Sequence, residues 1–267
     1  MKVVLFCGGL GMRLYPTTEE VPKPLVTIGD KPLLWYLMKY YSFFGHKDFI
    51  LCLGYKADKI KRFFLDYDEC MSSDFTLTKG GQKQVLQKSD IADWNITFAD
   101  TGLNSNIGQR LKTVQKYLDG EETFLANYSD GLTDLQLPKL VDYFKKQNKI
   151  GCFMAVKPFY VFHLVTTYPD DCVKSIRSVS KSNLRINGGF FAFKNSIFDY
   201  IQEGEELVEE PFQRLIKKRE LVAYKHDGFW ASLDTYKDKN RLEEMFSNGK
   251  GLWKIWENGK VANNAKA

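Results

Sequence analysis

The chain is 267 residues long, 44% apolar and 27% charged, which suits one large globular domain or two small ones and excludes disordered, collagen-like and coiled-coil chains. Its 38 basic and 33 acidic residues leave a net charge of +5, enough to favour an anionic small ligand and too little to call for nucleic acid. No run nears the ~20 apolar residues of a membrane span. The five cysteines follow no disulfide or zinc spacing, and the apolar run after Met1 is too short for a secretory leader, so a cytoplasmic protein without a membrane partner is expected.

Residues 3–7 (Val-Val-Leu-Phe-Cys) are apolar throughout, the mark of a strand covered on both faces, and residues 49–53 repeat the pattern. Residues 95–99 and 123–126 are weaker strands. Helical periodicity fills the intervals at 33–44, 57–64, 111–118 and 137–144, the last with Pro138 at its entry. Strand and helix in alternation predict an α/β domain with a mostly parallel sheet. From residue 151 the texture changes to short β-branched and aromatic runs (153–156, 159–167, 188–193), followed by helices near 197–201, 211–218 and 237–246. Residues 1–257 therefore read as one domain, with a nucleotide-binding half (1–150) and a more elaborate half (151–257), and 258–267 as a polar tail.

Directly after the first strand comes Gly8-Gly9-Leu10-Gly11-Met12-Arg13-Leu14. Glycines there let the backbone turn tightly and approach a bound group, so that successive amides can face phosphate oxygens. A dinucleotide GxGxxG starting at Gly9 fails because position 14 is leucine, and no GxxxxGK[ST] occurs in the chain. Arg13 and Lys23, the latter fixed between Pro22 and Pro24, supply the cations a triphosphate needs; the plain alternative is a turn with two solvated charges. Asp130 follows a strand-like run and precedes Gly131, and Asp234 opens the last helix; a carboxylate pair of this kind can share a magnesium ion with phosphates, although Ser129-Asp130-Gly131 by itself is more often a plain turn.

Gly-Gly-X-Gly-X-Arg-Leu followed by Pro-Lys-Pro-Leu resembles the signature of the sugar-1-phosphate nucleotidyltransferases. Leu33-Leu34-Trp35-Tyr36, Gly54-Tyr55-Lys56, Ala99-Asp100-Thr101-Gly102, Tyr128-Ser129-Asp130-Gly131, Ile186-Asn187-Gly188-Gly189, Gly228-Phe229-Trp230 and Leu233-Asp234-Thr235 make the glucose-1-phosphate cytidylyltransferase branch the most similar. The resemblance implies a Rossmann-like fold whose C-terminal part binds the acceptor. It implies a homo-oligomer and Mg2+-dependent transfer of CMP from CTP to a hexose 1-phosphate such as glucose 1-phosphate.

By that resemblance Arg13 and Lys23 are catalytic, and Asp130 and Asp234 are the metal ligands. Gly8, Gly9, Gly11, Met12, Arg110 and Ser129 contact the nucleotide, and Asn187, Gly188 and Lys181 the acceptor. Three features depart from the family. Met12 replaces a threonine. Ser178-Val179-Ser180 stands in the place of a Glu-Lys-Pro element whose lysine grips the sugar phosphate, leaving Lys181, Arg177 or Arg185 to substitute. Residues 159–163, ending in His163, replace a glycine-containing stretch of the sugar pocket. The first change falls on the nucleotide loop and the other two on the acceptor, so a non-sugar phosphate acceptor or a non-catalytic nucleotide-binding homologue are the alternatives. A glycosyltransferase would need an Asp-X-Asp at a strand end, and Asp66-Tyr67-Asp68 instead follows a helix.

Overall fold

The computed structural model describes residues 1–11, 14, 20–87, 90–158, 162–179 and 182–257. From the N-terminus run β1 (Val3–Phe6), the short pair β2 (Thr27–Ile28) and β3 (Lys31–Pro32), α1 (Leu33–Phe43), β4 (Asp48–Leu53), α2 (Ala57–Leu65), the hairpin β5 (Phe75–Thr78) and β6 (Lys83–Leu86), β7 (Asn95–Asp100), α3 (Ile107–Thr113), β8 (Thr123–Asn127) and β9 (Gly131–Thr133). Then follow α4 (Leu137–Gln147), β10 (Gly151–Val156), the hairpin β11 (His163–Thr167) and β12 (Val173–Ser178), β13 (Ile186–Lys194), α5 (Glu210–Lys217), β14 (Leu221–His226), β15 (Trp230–Ser232) and α6 (Tyr236–Ser247).

The main sheet has the order β14-β10-β13-β8-β1-β4-β7. Its pairings are parallel except where β13 lies antiparallel to β8 and β10, giving the expected mostly parallel α/β sheet. All four side chains of β1 are buried because helices cover both faces. Leu5, Leu51 and Leu125 pack on one face with α1, α2, α4 and α6; Val4, Phe6, Ile50 and Phe124 pack on the other with α3 and α5. Strands from both sides of residue 150 share this sheet. Helix α1 buries Leu33 to Met38 without a break, since the sheet lies under it and α6 with Trp253 and Trp256 closes over it.

Several local expectations shift. The helix expected at 111–118 begins earlier, where Asn106 caps it by accepting the amide of Gln109 at 2.9 Å, and ends in a 3-10 turn (Gln115–Leu118). Residues Asn195–Tyr200 form a 3-10 segment instead of an α-helix. The hairpin of β5 and β6, the edge strand β14 and the two-stranded β9–β15 pairing are additional elements. Met12, Arg13, Lys181, residues 159–161 and the tail 258–267 lie outside the described residues.

Candidate active site

After β1 the chain moves to β4 on one side and later to β8 on the other, and its helices change faces between β7 and β8. A crevice at the carboxyl ends of the strands is the geometric result of such a reversal. A cavity of about 580 Å3 opens there, lined by Gly8, Gly9 and Gly11, by Lys23, by Arg110, and by Tyr128, Ser129, Asp130, Glu206 and Asp234.

Three charged groups meet at its floor. Lys23 lies on a 3-10 turn whose neighbour Pro24 is buried, which fixes where its ammonium goes. The ammonium donates to Asp130 Oδ2 at 2.7 Å and to Asp234 Oδ1 at 2.9 Å. The amide of Leu233 donates to the Asp130 carbonyl at 2.8 Å, and β9 pairs with β15 just beyond, so two carboxylates far apart in sequence sit side by side. A capping box between Thr235 and Asp238 starts α6 and holds Asp234 at the helix entrance. Burial alone would pull the Lys23 pKa down, but the two carboxylates outweigh it and raise it, so Lys23 stays charged.

Arg110 lines the same cavity, yet its guanidinium is turned to internal work. Nη1 donates to Thr101 Oγ1 (2.7 Å), Gly102 O (2.9 Å) and Leu53 O (3.1 Å), and Nη2 to Gly8 O (3.0 Å) and Leu103 O (3.3 Å). It is 3% exposed, and burial lowers its pKa. Arg110, expected at the nucleotide, thus lines the cavity and at the same time braces the ends of β1, β4 and β7. A Cβ on Gly8 would stand 2.1 Å from Arg110 Nη1, whereas one on Gly9 would meet nothing within 4 Å. Gly8 makes room for the brace, and Gly9 leaves the cavity open. Gly11 takes a left-handed conformation with φ of 64°, which suits a residue without a Cβ.

Ser129 is likewise committed to the scaffold: its hydroxyl donates to Phe6 O at 2.6 Å and its amide to Asn127 Oδ1 at 2.8 Å. Beside it, burial pushes the Cys7 thiol up to about 12, which keeps it a neutral wall group. Gly188, expected at the acceptor, has no room for a side chain, since a Cβ there would stand 2.7 Å from Met154 Cε and 3.2 Å from Val156 Cγ1, and its carbonyl accepts from Trp230 Nε1 at 2.9 Å. Asn187 lines a second cavity on the same sheet face and donates to the Tyr128 hydroxyl at 3.2 Å. Tyr128 lines the first cavity and Trp230 holds Gly188 behind it, two placements that the motifs contained without revealing.

A match to the Nucleotidyl transferase family model covers residues 2–238. The glucose-1-phosphate cytidylyltransferase of Salmonella typhi is 40% identical over 259 residues, covering 96% of this chain and all of that one. The D-glycero-alpha-D-manno-heptose 1-phosphate guanylyltransferase of Campylobacter jejuni is 28% identical over 89% of this chain and 96% of its own. Among solved structures, HddC from Yersinia pseudotuberculosis complexed with GMP-PN superposes with a TM-score of 0.63 at 22% identity, over 92% of this chain and 99% of that one, a likeness of fold. With a glycine loop leading into the cavity, Lys23 clasped by two aspartates at its floor, and a match running almost from end to end, the chain belongs to the nucleotidyl transferase family.

Proposed function

We propose that the protein transfers CMP from CTP to a hexose 1-phosphate such as glucose 1-phosphate. An oxygen of the acceptor phosphate attacks the α-phosphorus, the bond from that phosphorus to the bridging oxygen of the β-phosphate breaks, and pyrophosphate leaves. The observation that carries this reading is the Lys23 ammonium held between Asp130 and Asp234 at the cavity floor. Such a transfer asks the protein for positioning and charge neutralisation more than for covalent chemistry. Lys23 faces the α-phosphate, Gly9 and Gly11 let the triphosphate pass close to the backbone, and Arg13 takes its distal phosphates.

Asp130 and Asp234 would hold Mg2+, which neutralises phosphate charge when bound. Their donor set fits: two adjacent, partly exposed carboxylates are what Mg2+ uses when phosphates and water complete its shell. Among the described residues no group of three or more His, Cys, Asp or Glu is placed to hold a metal, so the remaining ligands fall to substrate and solvent. Residues 1–150 serve the nucleotide and 151–257 the acceptor, except that Asp234 and Glu206 reach back to the first cavity. The protein works in the cytoplasm, in keeping with five free thiols, as a homo-oligomer, in keeping with the exposed Phe75, Leu77 and Val85 of the β5–β6 hairpin.

Pyrophosphate release tests the reading. With Mg2+, CTP and a panel of hexose 1-phosphates, release is expected with at least one acceptor, and Asp130→Asn or Asp234→Asn should lower kcat/KM by about 10²–10³-fold. Turnover that survives either substitution, or that needs no nucleotide, would overturn it.

A further inference from the structure

The second cavity, about 850 Å3, has a floor made by alternate residues of two parallel strands. Phe153, Ala155 and Lys157 along and beyond β10, and Ala223, Lys225 and Asp227 along and beyond β14, point to one face, since side chains two apart in a strand share a face. Ala155 pairs with Lys225 across the strands, so the small side chains make the hollow and the charged ones stand at the carboxyl edge, where ligands of α/β sheets sit.

Among the described lining residues are three cations, Lys157, Arg185 and Lys225, against one carboxylate, Asp227. Arg185 is a built part of the wall: Nη1 donates to His226 O (3.1 Å) and Ala155 O (3.2 Å), and Nη2 to Asp227 Oδ1 (2.7 Å). Lys157 lies 3.7 Å from the same carboxylate oxygen. One carboxylate therefore answers two cations, and Lys225 pairs with none among the described residues. A surplus of two positive charges at a cavity rim calls for an anion.

The distance from the reaction centre says which anion. Asp130 follows β8, and β10 and β14 lie two and three strands away, about 10 and 14 Å at the usual strand spacing. The phosphate that attacks the α-phosphorus must sit beside Asp130 and Lys23, out of hydrogen-bond reach of the rim. The two cavities are neighbours all the same, because the hydroxyl of Tyr128, from the first, accepts from Asn187, from the second. An acceptor bound across this junction would present its far end to the cations.

We infer that the acceptor is a sugar 1-phosphate with a second anionic group, a carboxylate or another phosphate, at the end of the ring remote from the reacting phosphate, and that Lys225 with Lys157 selects it. This rests on the proposed nucleotidyl transfer. The test is pyrophosphate release with CTP and Mg2+ from glucose 1-phosphate, glucose 1,6-bisphosphate and glucuronic acid 1-phosphate, for the wild type and Lys225→Glu, with CTP binding measured alongside as the folding control. At least one doubly anionic acceptor should exceed glucose 1-phosphate in kcat/KM by about tenfold or more, the worth of one charge-assisted contact. Lys225→Glu should bring that ratio to one or below. Which of the two acceptors gains distinguishes a distal phosphate from a carboxylate. Parity among the three acceptors, or a preference that Lys225→Glu leaves intact, overturns the inference while the transfer reaction stands. Absence of release with every acceptor overturns the proposed function, and the inference with it.

Discussion

In the wall of the first cavity, the hydrogens of the Arg110 guanidinium go to Gly8, Leu53, Thr101, Gly102 and Leu103 of its own chain. At the rim of the second, Lys225 is exposed and the hydrogen-bonded Arg185 takes up most of Asp227. Both are cations lining a cavity in the same sheet edge, and they do opposite things. A buried polar group must find its partners inside the protein, and in doing so it sets the shape of the backbone around it. An exposed one can keep its hydrogens for a ligand. The wall of the first cavity is therefore rigid by construction, and the rim of the second is where the charge pattern can be rewritten without disturbing the fold.

The largest expected effect breaks or upholds that contrast directly. Arg110→Lys keeps the charge but cannot reach the separate carbonyls of Gly8, Leu53 and Gly102 with a single ammonium. Leaving those acceptors unpaired should cost on the order of 3 kcal/mol, a fall in Tm of roughly 6–12 °C for a chain of this size. Lys225→Ala should change stability by no more than about 0.5 kcal/mol. Calorimetry on the two variants decides the matter: comparable losses would mean that the second rim is as structural as the first.

What could be read from the residues follows the same division. Strands β1 and β4 were legible because a strand buried on both faces is an unbroken apolar word. Lys23, Asp130 and Asp234 stood out through the family resemblance, since by residue type alone a lysine between prolines and a Ser-Asp-Gly also suit plain turns, and the structure brings the three together. Arg110 and Ser129 line the first cavity, but their part in holding the strand ends together was not legible, because residue type is the same whether a guanidinium or hydroxyl faces a ligand or a carbonyl. Strand β14 escaped notice because its side chains, mostly half-buried, show neither continuous burial nor clean alternation. The cation rim depends on β10 lying beside β14, a pairing between distant segments that no local pattern announces. A small-then-charged alternation, Ala155 with Lys157 and Ala223 with Lys225, was the available hint.

The glycine loop sharpens the comparison on a smaller scale, since adjacent residues fall on its two sides. A methyl at position 8 would strike the Arg110 guanidinium at 2.1 Å, and one at position 9 would project into open space. Gly8→Ala should therefore destabilise by about 1–3 kcal/mol, the ordinary cost of overpacking. Gly9→Ala should hold stability within about 0.5 kcal/mol and show itself as a raised KM for the triphosphate. Thermal unfolding and triphosphate titration of the pair read the two outcomes separately. If Gly8→Ala is neutral, the brace has slack and the first wall is softer than its hydrogen bonds imply.

The smallest effect concerns the segment that belongs to both cavities. Glu206 lines the first and Val208 the second, and the loop is pinned just before them by Glu205, whose carboxylate accepts from both terminal nitrogens of Arg214 and from the amide of Gln202 at 2.9 Å. Hydrogen bonding to Arg214 outweighs desolvation and holds the Glu205 carboxyl at about 2. Its folded value lies below its ordinary one, so the stabilising contribution is complete above pH 4.5 and is lost as the pH falls toward 2. Protection factors of the amides of residues 203–208, their exchange rates referred to the intrinsic rate at each pH, should fall over that window in the wild type and be low throughout in Glu205→Gln. At neutral pH the same substitution should raise KM for triphosphate and acceptor together, by less than about fivefold, because the pair is partly screened by solvent. A rise in one KM alone would mean that the loop serves a single cavity, and the rigid and the adaptable halves of the cleft would then be independent of one another.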